Sequence, residues 1–110
     1  MQAIVVHEVG APDVMKLETV PEPVPGPGQV LIRVKAAGVN PVDTYIRSGA
    51  RKTDLPYTPG TDGAGLVERV GGGVSSVAVG DRVYTRGTVG GHGVCADLAL
   101  CDESQVHPLP

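Results

Sequence analysis

Glycine and proline interrupt this sequence so often that long regular elements are excluded. The chain holds 16 glycines and 10 prolines among its 110 residues, nearly a quarter of the total. Hydrophobic residues still make up 41%, and this proportion argues against disorder. With no Trp, no Phe and only three Tyr, the core has to come from Val, Leu, Ile and Ala. We therefore predict one domain of short strands joined by many turns.

Seven or so short strands can be assigned from the apolar patterns, and the resulting fold class is mainly β, a small barrel or sandwich. The clearest strand is "QVLIRVKAAGV", which alternates one set of apolar positions with a more polar set containing Leu31, Arg33 and Lys35. The apolar set is Val30, Ile32, Val34 and Ala36. The proline-rich segment Pro21–Gly28 is predicted to be an extended connection, and "SQVHPLP" to lead out of the domain.

One short helix is predicted at about residues 40–48. Asn40 is a suitable N-cap, Pro41 occupies the first helical position, and Asp43 lies in the first turn. Gly49 follows the end of the pattern, as glycine commonly does after a helix.

Charge and cysteine content exclude some classes of function. The net charge is −3 and no basic run exceeds Arg51-Lys52, so a nucleic-acid surface is not expected. Neither a signal peptide nor a stretch of 18 apolar residues is present, and we predict no membrane partner. Cys95 and Cys101 are assigned to one strand, roughly 20 Å apart at about 3.3 Å per residue, which is too far for a disulfide. Two free thiols predict a cytoplasmic location.

The glycine-rich stretch "PGTDGAGLVERVGGGV", Pro59–Val74, raises the question of a phosphate-binding loop. A dinucleotide fingerprint requires G-x-G-x-x-G at the start of a helix, and a P-loop requires Gly-Lys followed by Ser or Thr. Neither pattern occurs, and the apolar positions after the first glycines continue as a strand. These glycines are therefore predicted to shape something other than a phosphate site.

The spacing resembles a different motif. Four positions fit the pattern G-H-E-x2-G-x5-G-x2-V of zinc-type alcohol dehydrogenases, namely Gly60, Gly65, Gly71 and Val74. Thr61 and Asp62 stand where that pattern has His and Glu, and Asn40 in "GVNPVD" stands where it has a metal-binding Cys. The four-cysteine cluster of many alcohol dehydrogenases is missing. The stretches "GVNPVDTYIRSG" and "LPYTPGTDGAG" resemble the zinc-free quinone oxidoreductases of the zeta-crystallin type, within the medium-chain dehydrogenase/reductase superfamily.

This resemblance implies both a fold and an activity. Residues 1–110 would form a GroES-like, partly open β-barrel that is the catalytic, substrate-binding domain of a longer enzyme. The Rossmann domain that binds NADPH in the family would lie outside this chain, so the isolated chain would be inactive. The whole protein would be an NADPH-dependent quinone oxidoreductase and a homo-oligomer. It would pass hydride or electrons to a quinone, or to another activated carbonyl acceptor.

The loss of zinc ligands fits that chemistry. A neutral amide at Asn40 and a hydroxyl at Thr61 are poor ligands for zinc, which prefers thiolate and imidazole. Without zinc there is no Lewis acid to polarise a carbonyl, so we expect an acceptor that takes hydride easily.

The resemblance, together with the loop position of Tyr57 between two prolines, also indicates the site residues. Asn40, Tyr45 and Tyr57 are predicted to be catalytic, and Tyr45, Tyr57 and Asp62 to contact the substrate. The cofactor would be contacted by Asn40, Pro41 and Thr61. The three residues predicted to be catalytic also have purely structural interpretations. Asn40 could be an N-cap, Tyr45 a packed aromatic and Tyr57 a surface anchor. His92 is interpreted as a solvated loop residue, and Val42 replaces the hydroxyl residue that relays the proton in zinc alcohol dehydrogenases.

Two other functions stay open from the sequence. One is an enoyl-thioester reductase domain of the same superfamily, which would have a similar barrel. The other is a non-enzymatic GroES-like binding or assembly module, which would form a ring.

Overall fold

The computed structural model describes all residues from Met1 to Pro110, and antiparallel β-sheet dominates it. The chain forms one helix and seven strands, so the predicted mainly β class is confirmed. In chain order these are β1 (Gln2–Val6), β2 (Met15–Thr19), β3 (Gln29–Ala37), α1 (Pro41–Ser48), β4 (Gly63–Val70), β5 (Arg82–Thr85), β6 (Leu98–Asp102) and β7 (Val106–Pro108). Two short 3₁₀ helices, Pro12–Val14 and Glu103–Gln105, were not predicted.

The strands form a two-stranded ribbon and a five-stranded sheet. The ribbon pairs β1 with β2, and the sheet has the order β6-β3-β4-β5-β7. Its outer strands, β6 and β7, are consecutive in the chain and are separated only by Glu103–Gln105. A link this short requires the sheet to curl until its two edges approach each other. The result is the partly open barrel that the sequence predicted.

The end of the chain differs from the prediction. Val106–Pro108 pair with β5, opposite Val83, Tyr84 and Thr85, so these residues do not leave the domain. The physical reason is burial: Val106 packs in the main apolar core. A three-residue strand that itself ends in a proline carries too little pattern to be detected in the sequence.

The core covers both faces of the sheet at the start of β3. Val30 and Ile32 belong to the main cluster, as their alternation predicted. Leu31 was assigned to the polar face, but it is fully buried against Leu98 and Leu100 of the neighbouring strand. The face opens to solvent two residues later, where Arg33 is exposed and pairs with Glu68 at 2.7 Å. The polar face therefore begins after Leu31 rather than at it.

The glycine-rich stretch allows two strands to approach closely. A Cβ on Gly65 in β4 would collide with the carbonyl oxygen of Arg33 in β3. The register between these strands shifts just beyond, between Val34 and Ala36. Glycine is the residue that permits such backbone contact, so the stretch serves strand packing, in agreement with the exclusion of a phosphate loop.

The helix starts and ends as predicted. The carboxylate of Asp43 accepts a hydrogen bond from the backbone N–H of Asn40, and Gly49 closes the helix in the left-handed region at φ 91°. Both cysteines are free. Cys101 lies in β6, but Cys95 lies in the segment before that strand, so the assignment of both to one strand was wrong.

Candidate functional site

Three segments of the chain meet beside the N-terminal half of α1. They are the turn Gly38–Asn40 after β3, the segment Tyr57–Asp62 before β4, and the loop Thr88–Cys95 before β6. Two adjoining cavities form there, and both are lined by Asp43, Pro59 and Gly60. The shared residues place the Asp43 side of the helix at the centre of the candidate site.

The two cavities differ in chemical character. The first, which we call the threonine cavity, has a volume of about 120 Å³ and is lined by Thr53, Thr58, Thr61 and Thr88. The second, which we call the cysteine cavity, has a volume of about 170 Å³ and includes Cys95, Met15 and Arg47. Each cavity has room for a few water molecules or for one end of a larger ligand.

Asn40 is held between two carboxylates. Its backbone N–H donates to Oδ2 of Asp43 at 2.8 Å, and its side-chain Nδ2 donates to Oδ1 of Asp62 at 2.6 Å. Hydrogen bonds to ionised groups are the stronger ones in proteins. The position of the Asn40 amide is therefore fixed from the helix on one side and from the start of β4 on the other.

Tyr57 lies in the wall of the threonine cavity and is only 6% exposed. Its backbone exchanges two hydrogen bonds with Val6 of β1, at 2.9 and 3.1 Å, which ties this residue to the ribbon. Its hydroxyl is buried without a hydrogen-bond partner. Burial, together with the negative charge of Asp43, raises the pKa of the Tyr57 phenol, so this group stays protonated at neutral pH.

Asp43 lines both the threonine cavity and the cysteine cavity. One carboxylate oxygen, Oδ2, binds the backbone of Asn40, while the other, Oδ1, is buried with no partner. Burial and the charge of Asp43 also raise the pKa of the Cys95 thiol. The signal in the sequence was the three-residue spacing from Asn40, which is typical of a capping box and does not by itself suggest a site.

A third cavity of about 330 Å³ lies on the other side of Tyr57. It is mainly apolar, with Val5, Val20, Pro23 and Leu98 in its wall, and His92 also lines it. Tyr57 and Thr58 line both this apolar cavity and the threonine cavity, and therefore separate the two.

The structure brings together some of the predicted site residues and leaves others apart. Asn40 and Asp62 are hydrogen-bonded to each other, and Thr61 and Tyr57 line the threonine cavity. Asn40 and Asp62 themselves line none of these three cavities. Tyr45 lines none of them either and is 54% exposed on α1. Pro41 is exposed at the helix start. The carboxylate of Asp62, predicted to contact a substrate, is directed at Asn40.

The residues do not fit a zinc site. No group of three or more His, Cys, Asp or Glu side chains is arranged to hold a metal ion. At the positions that correspond to zinc ligands by sequence, the Asn40 amide is bonded to Asp62 and Thr61 offers a hydroxyl.

The fold belongs to a known family. The alcohol dehydrogenase GroES-like domain matches residues 26–110, and the chain belongs to that family, within the medium-chain dehydrogenase/reductase superfamily. The chain is 55% identical over 113 aligned residues to the quinone oxidoreductase of Lama guanicoe, a match that covers all of this chain and 34% of that protein.

Solved structures agree with the sequence match. The quinone oxidoreductase of Escherichia coli in complex with NADPH superposes with a TM-score of 0.93 at 32% identity, over 100% of this chain and 33% of that one. The Pseudomonas syringae quinone oxidoreductase gives a TM-score of 0.94 at 35% identity, over 99% of this chain and 33% of that one. The chain thus spans about a third of the length of the relatives it matches.

No helix in the structure has the length and apolar character that crossing a bilayer requires.

Proposed function

We propose that this chain is the substrate-binding part of an NADPH-dependent quinone oxidoreductase that works without zinc. The observation that carries the proposal is the match of the whole chain to quinone oxidoreductases. The site supports it, because the hydrogen-bonded amide of Asn40 and the hydroxyl of Thr61 occupy the positions of zinc ligands. Since the match covers only a third of those relatives, activity, cofactor and acceptor belong to the whole protein and are part of the proposal.

The residues present fit a nicotinamide cofactor better than a metal. NADPH, when bound, supplies the hydride. On this chain's side, Asn40 offers a fixed amide and Thr61 a hydroxyl, and Pro41 offers an exposed apolar surface at the helix start. These neutral groups can contact the cofactor's polar and apolar parts without the desolvation cost of a buried charge.

The acceptor is proposed to contact the tyrosines. Tyr57 forms a wall between the threonine cavity and the apolar cavity, and its protonated hydroxyl can donate to an acceptor oxygen. Tyr45 is exposed on α1 and is available to a planar ring from outside. The function of these chain residues is to bind and orient the acceptor, since orientation alone can supply much of a rate enhancement.

The test uses the protein in its natural length, or this chain fused to the nucleotide-binding part of a relative. We expect quinone-dependent oxidation of NADPH, and we expect Asn40→Ala and Tyr57→Phe to reduce kcat/KM by about tenfold or more. Tyr84→Phe is the matched control, because Tyr84 lies on β5 and packs against His107 of β7. Equal unfolding midpoints would show that the variants remain folded.

Three results would contradict the proposal. One is full activity of both site variants, which would remove the site assignment. The second is reduction of enoyl thioesters but not of quinones, which would favour the alternative reductase. The third is a ring-shaped assembly with no NADPH oxidation, which would favour a binding or assembly module.

A further inference from the structure

We propose that Asp62 is a positioning residue that fixes the orientation of the Asn40 side-chain amide, and that Gly38 is present to admit the Asp62 carboxylate. The proposal rests on the proposed function only in that it takes Asn40 to contact a ligand. The interaction between the two side chains can be tested without any ligand.

The first argument is the chemistry of the hydrogen bond. An amide can turn by 180° and exchange its oxygen and nitrogen, and the two orientations have nearly the same shape. An ionised carboxylate can only accept hydrogen bonds. Because Oδ1 of Asp62 lies 2.6 Å from the Asn40 side chain, the nitrogen has to face Asp62. On the helix side, the backbone N–H of Asn40 donates to Oδ2 of Asp43 at 2.8 Å, which holds in place the main chain that carries this amide.

The second argument is the space above Gly38. The three atoms closest to a Cβ built on Gly38 all belong to the Asp62 carboxylate: Oδ1 at 2.5 Å, then Cγ and Oδ2 at 2.9 Å. Real Cβ atoms do not tolerate such contacts, so any side chain at this position would displace the carboxylate that holds Asn40. Gly38 has no left-handed backbone conformation to explain the glycine, although its N–H donates to the Asp62 carbonyl at 2.8 Å.

As a consequence, the hydrogen-bonding atoms of the Asn40 side chain are held in fixed positions for a ligand. With one N–H bonded to Asp62, Asn40 keeps one further N–H and its oxygen in a single orientation. A ligand that binds Asn40 therefore meets a preorganised amide, and no binding energy is spent on selecting the rotamer. Asp62 acts through Asn40 and need not touch the ligand.

The direct test is the ¹H,¹⁵N spectrum of the Asn40 side-chain amide in the labelled chain. In the wild type we expect its two protons to be widely separated, because only one is bonded to a carboxylate. Asp62→Ala and Gly38→Ala should both bring the two resonances closer together. Gly72→Ala is the matched control, because a Cβ there meets nothing within 4 Å and the Asn40 signals should not move.

A double variant separates this idea from general disruption. In an Asp62→Ala background the carboxylate is absent, so adding Gly38→Ala should have little further effect on the Asn40 amide or on the unfolding midpoint. Additive effects of the two substitutions would overturn the proposal, because they would show that Gly38 is needed for another reason.

Kinetics on the full-length enzyme supply the second measurement. Asp62→Ala should lower kcat/KM by about tenfold or more, and Asn40→Ala should add little to that loss. Asp62→Glu, which keeps a carboxylate, should recover part of the activity. If the wild type does not oxidise NADPH with quinones, the proposed function fails while the spectrum still decides the Asn40–Asp62 interaction. An Asn40 spectrum insensitive to Asp62→Ala would refute the positioning role even in an active enzyme.

Discussion

Asp43 influences more of its surroundings than any other single residue of the site. Its Oδ2 holds the backbone of Asn40, its Oδ1 is buried without a partner, and its charge contributes to raising the pKa of both Tyr57 and Cys95. A phenol and a thiol next to a carboxylate are both kept in the protonated form. The site is therefore built to offer hydrogen-bond donors rather than nucleophiles.

The reactivity of Cys95 follows from this arrangement. Because burial and Asp43 raise the pKa of the thiol, little thiolate is present at neutral pH, and we expect iodoacetamide to label Cys95 several-fold more slowly than it labels the unfolded chain. Asp43→Asn removes the charge and should increase the rate in the folded protein. The rate is measured by mass spectrometry of the Cys95 peptide.

Asp97→Asn serves as the control, since Asp97 is exposed and its side chain bonds only the backbone of Gln2. Cys101 is fully buried and should remain unlabelled in all folded variants. A labelling rate that is the same in the wild type and in the Asp43→Asn variant would mean that burial alone protects the thiol.

At this scale the sequence predicted part of the site. Asn40 was identified from the position of a missing zinc ligand and Asp62 from the glutamate position of the same motif, and the structure places them in contact. Their mutual hydrogen bond could not be inferred, because it joins residues 22 positions apart across a turn. The burial of Tyr57 could not be inferred either, since it depends on backbone bonds to Val6 near the start of the chain.

Among the elements, β3 organises the molecule. It pairs with both β4 and β6, carries buried side chains on both faces, and ends at the turn that places Asn40. Its first half is thus anchored by two apolar clusters, and the turn that follows its last residue contributes Gly38 and Val39 to the cysteine cavity.

Leu31 should therefore be costly to truncate. It is fully buried, and Leu31→Ala would leave a cavity between β3 and β6, so we expect a loss of about 2–5 kcal/mol in the free energy of unfolding. Leu17 on the ribbon is 69% exposed, and Leu17→Ala should change that free energy by less than about 0.5 kcal/mol. Denaturant unfolding measures both. A small effect at Leu31 would indicate that the second cluster collapses around the gap.

The same strand shows what local patterns can and cannot reveal. Alternation correctly assigned Val30 and Ile32 to the core, because a strand places every second residue on one face. It misassigned Leu31, because the β6 leucines that pack beside it on the other face are distant in sequence. Short strands such as β7 were missed for a similar reason, since three residues give no period to detect.

At the scale of the whole molecule, the link Glu103–Gln105 between β6 and β7 also binds a distant loop at Ser75 and Ser76. Glu103, in that link, accepts hydrogen bonds from the backbone N–H of Ser75 and from both the N–H and the hydroxyl of Ser76, at 2.7–2.9 Å. The hydroxyl bond, followed by the backbone bonds, lowers the pKa of the Glu103 carboxyl. The carboxylate form is thus favoured by folding.

This predicts a pH-dependent contribution to stability. Because the pKa of Glu103 is lower in the folded state, its stabilisation is present above the ordinary glutamate range and is lost as the pH falls through the folded value. Glu103→Gln should lower the thermal unfolding midpoint at neutral pH, and the difference from the wild type should shrink in acid. Asp102→Asn, one residue away, provides the comparison. A difference that stays constant with pH would exclude the charge as the cause.

The shared link between the outer strands has a consequence for association with other proteins. An unprotected edge strand is a template to which a foreign strand can add. Here the two edge strands of the five-stranded sheet, β6 and β7, are joined by only three residues and therefore lie near one another. A foreign strand would have to fit between these two edges, so the short connection restricts strand addition to the five-stranded sheet.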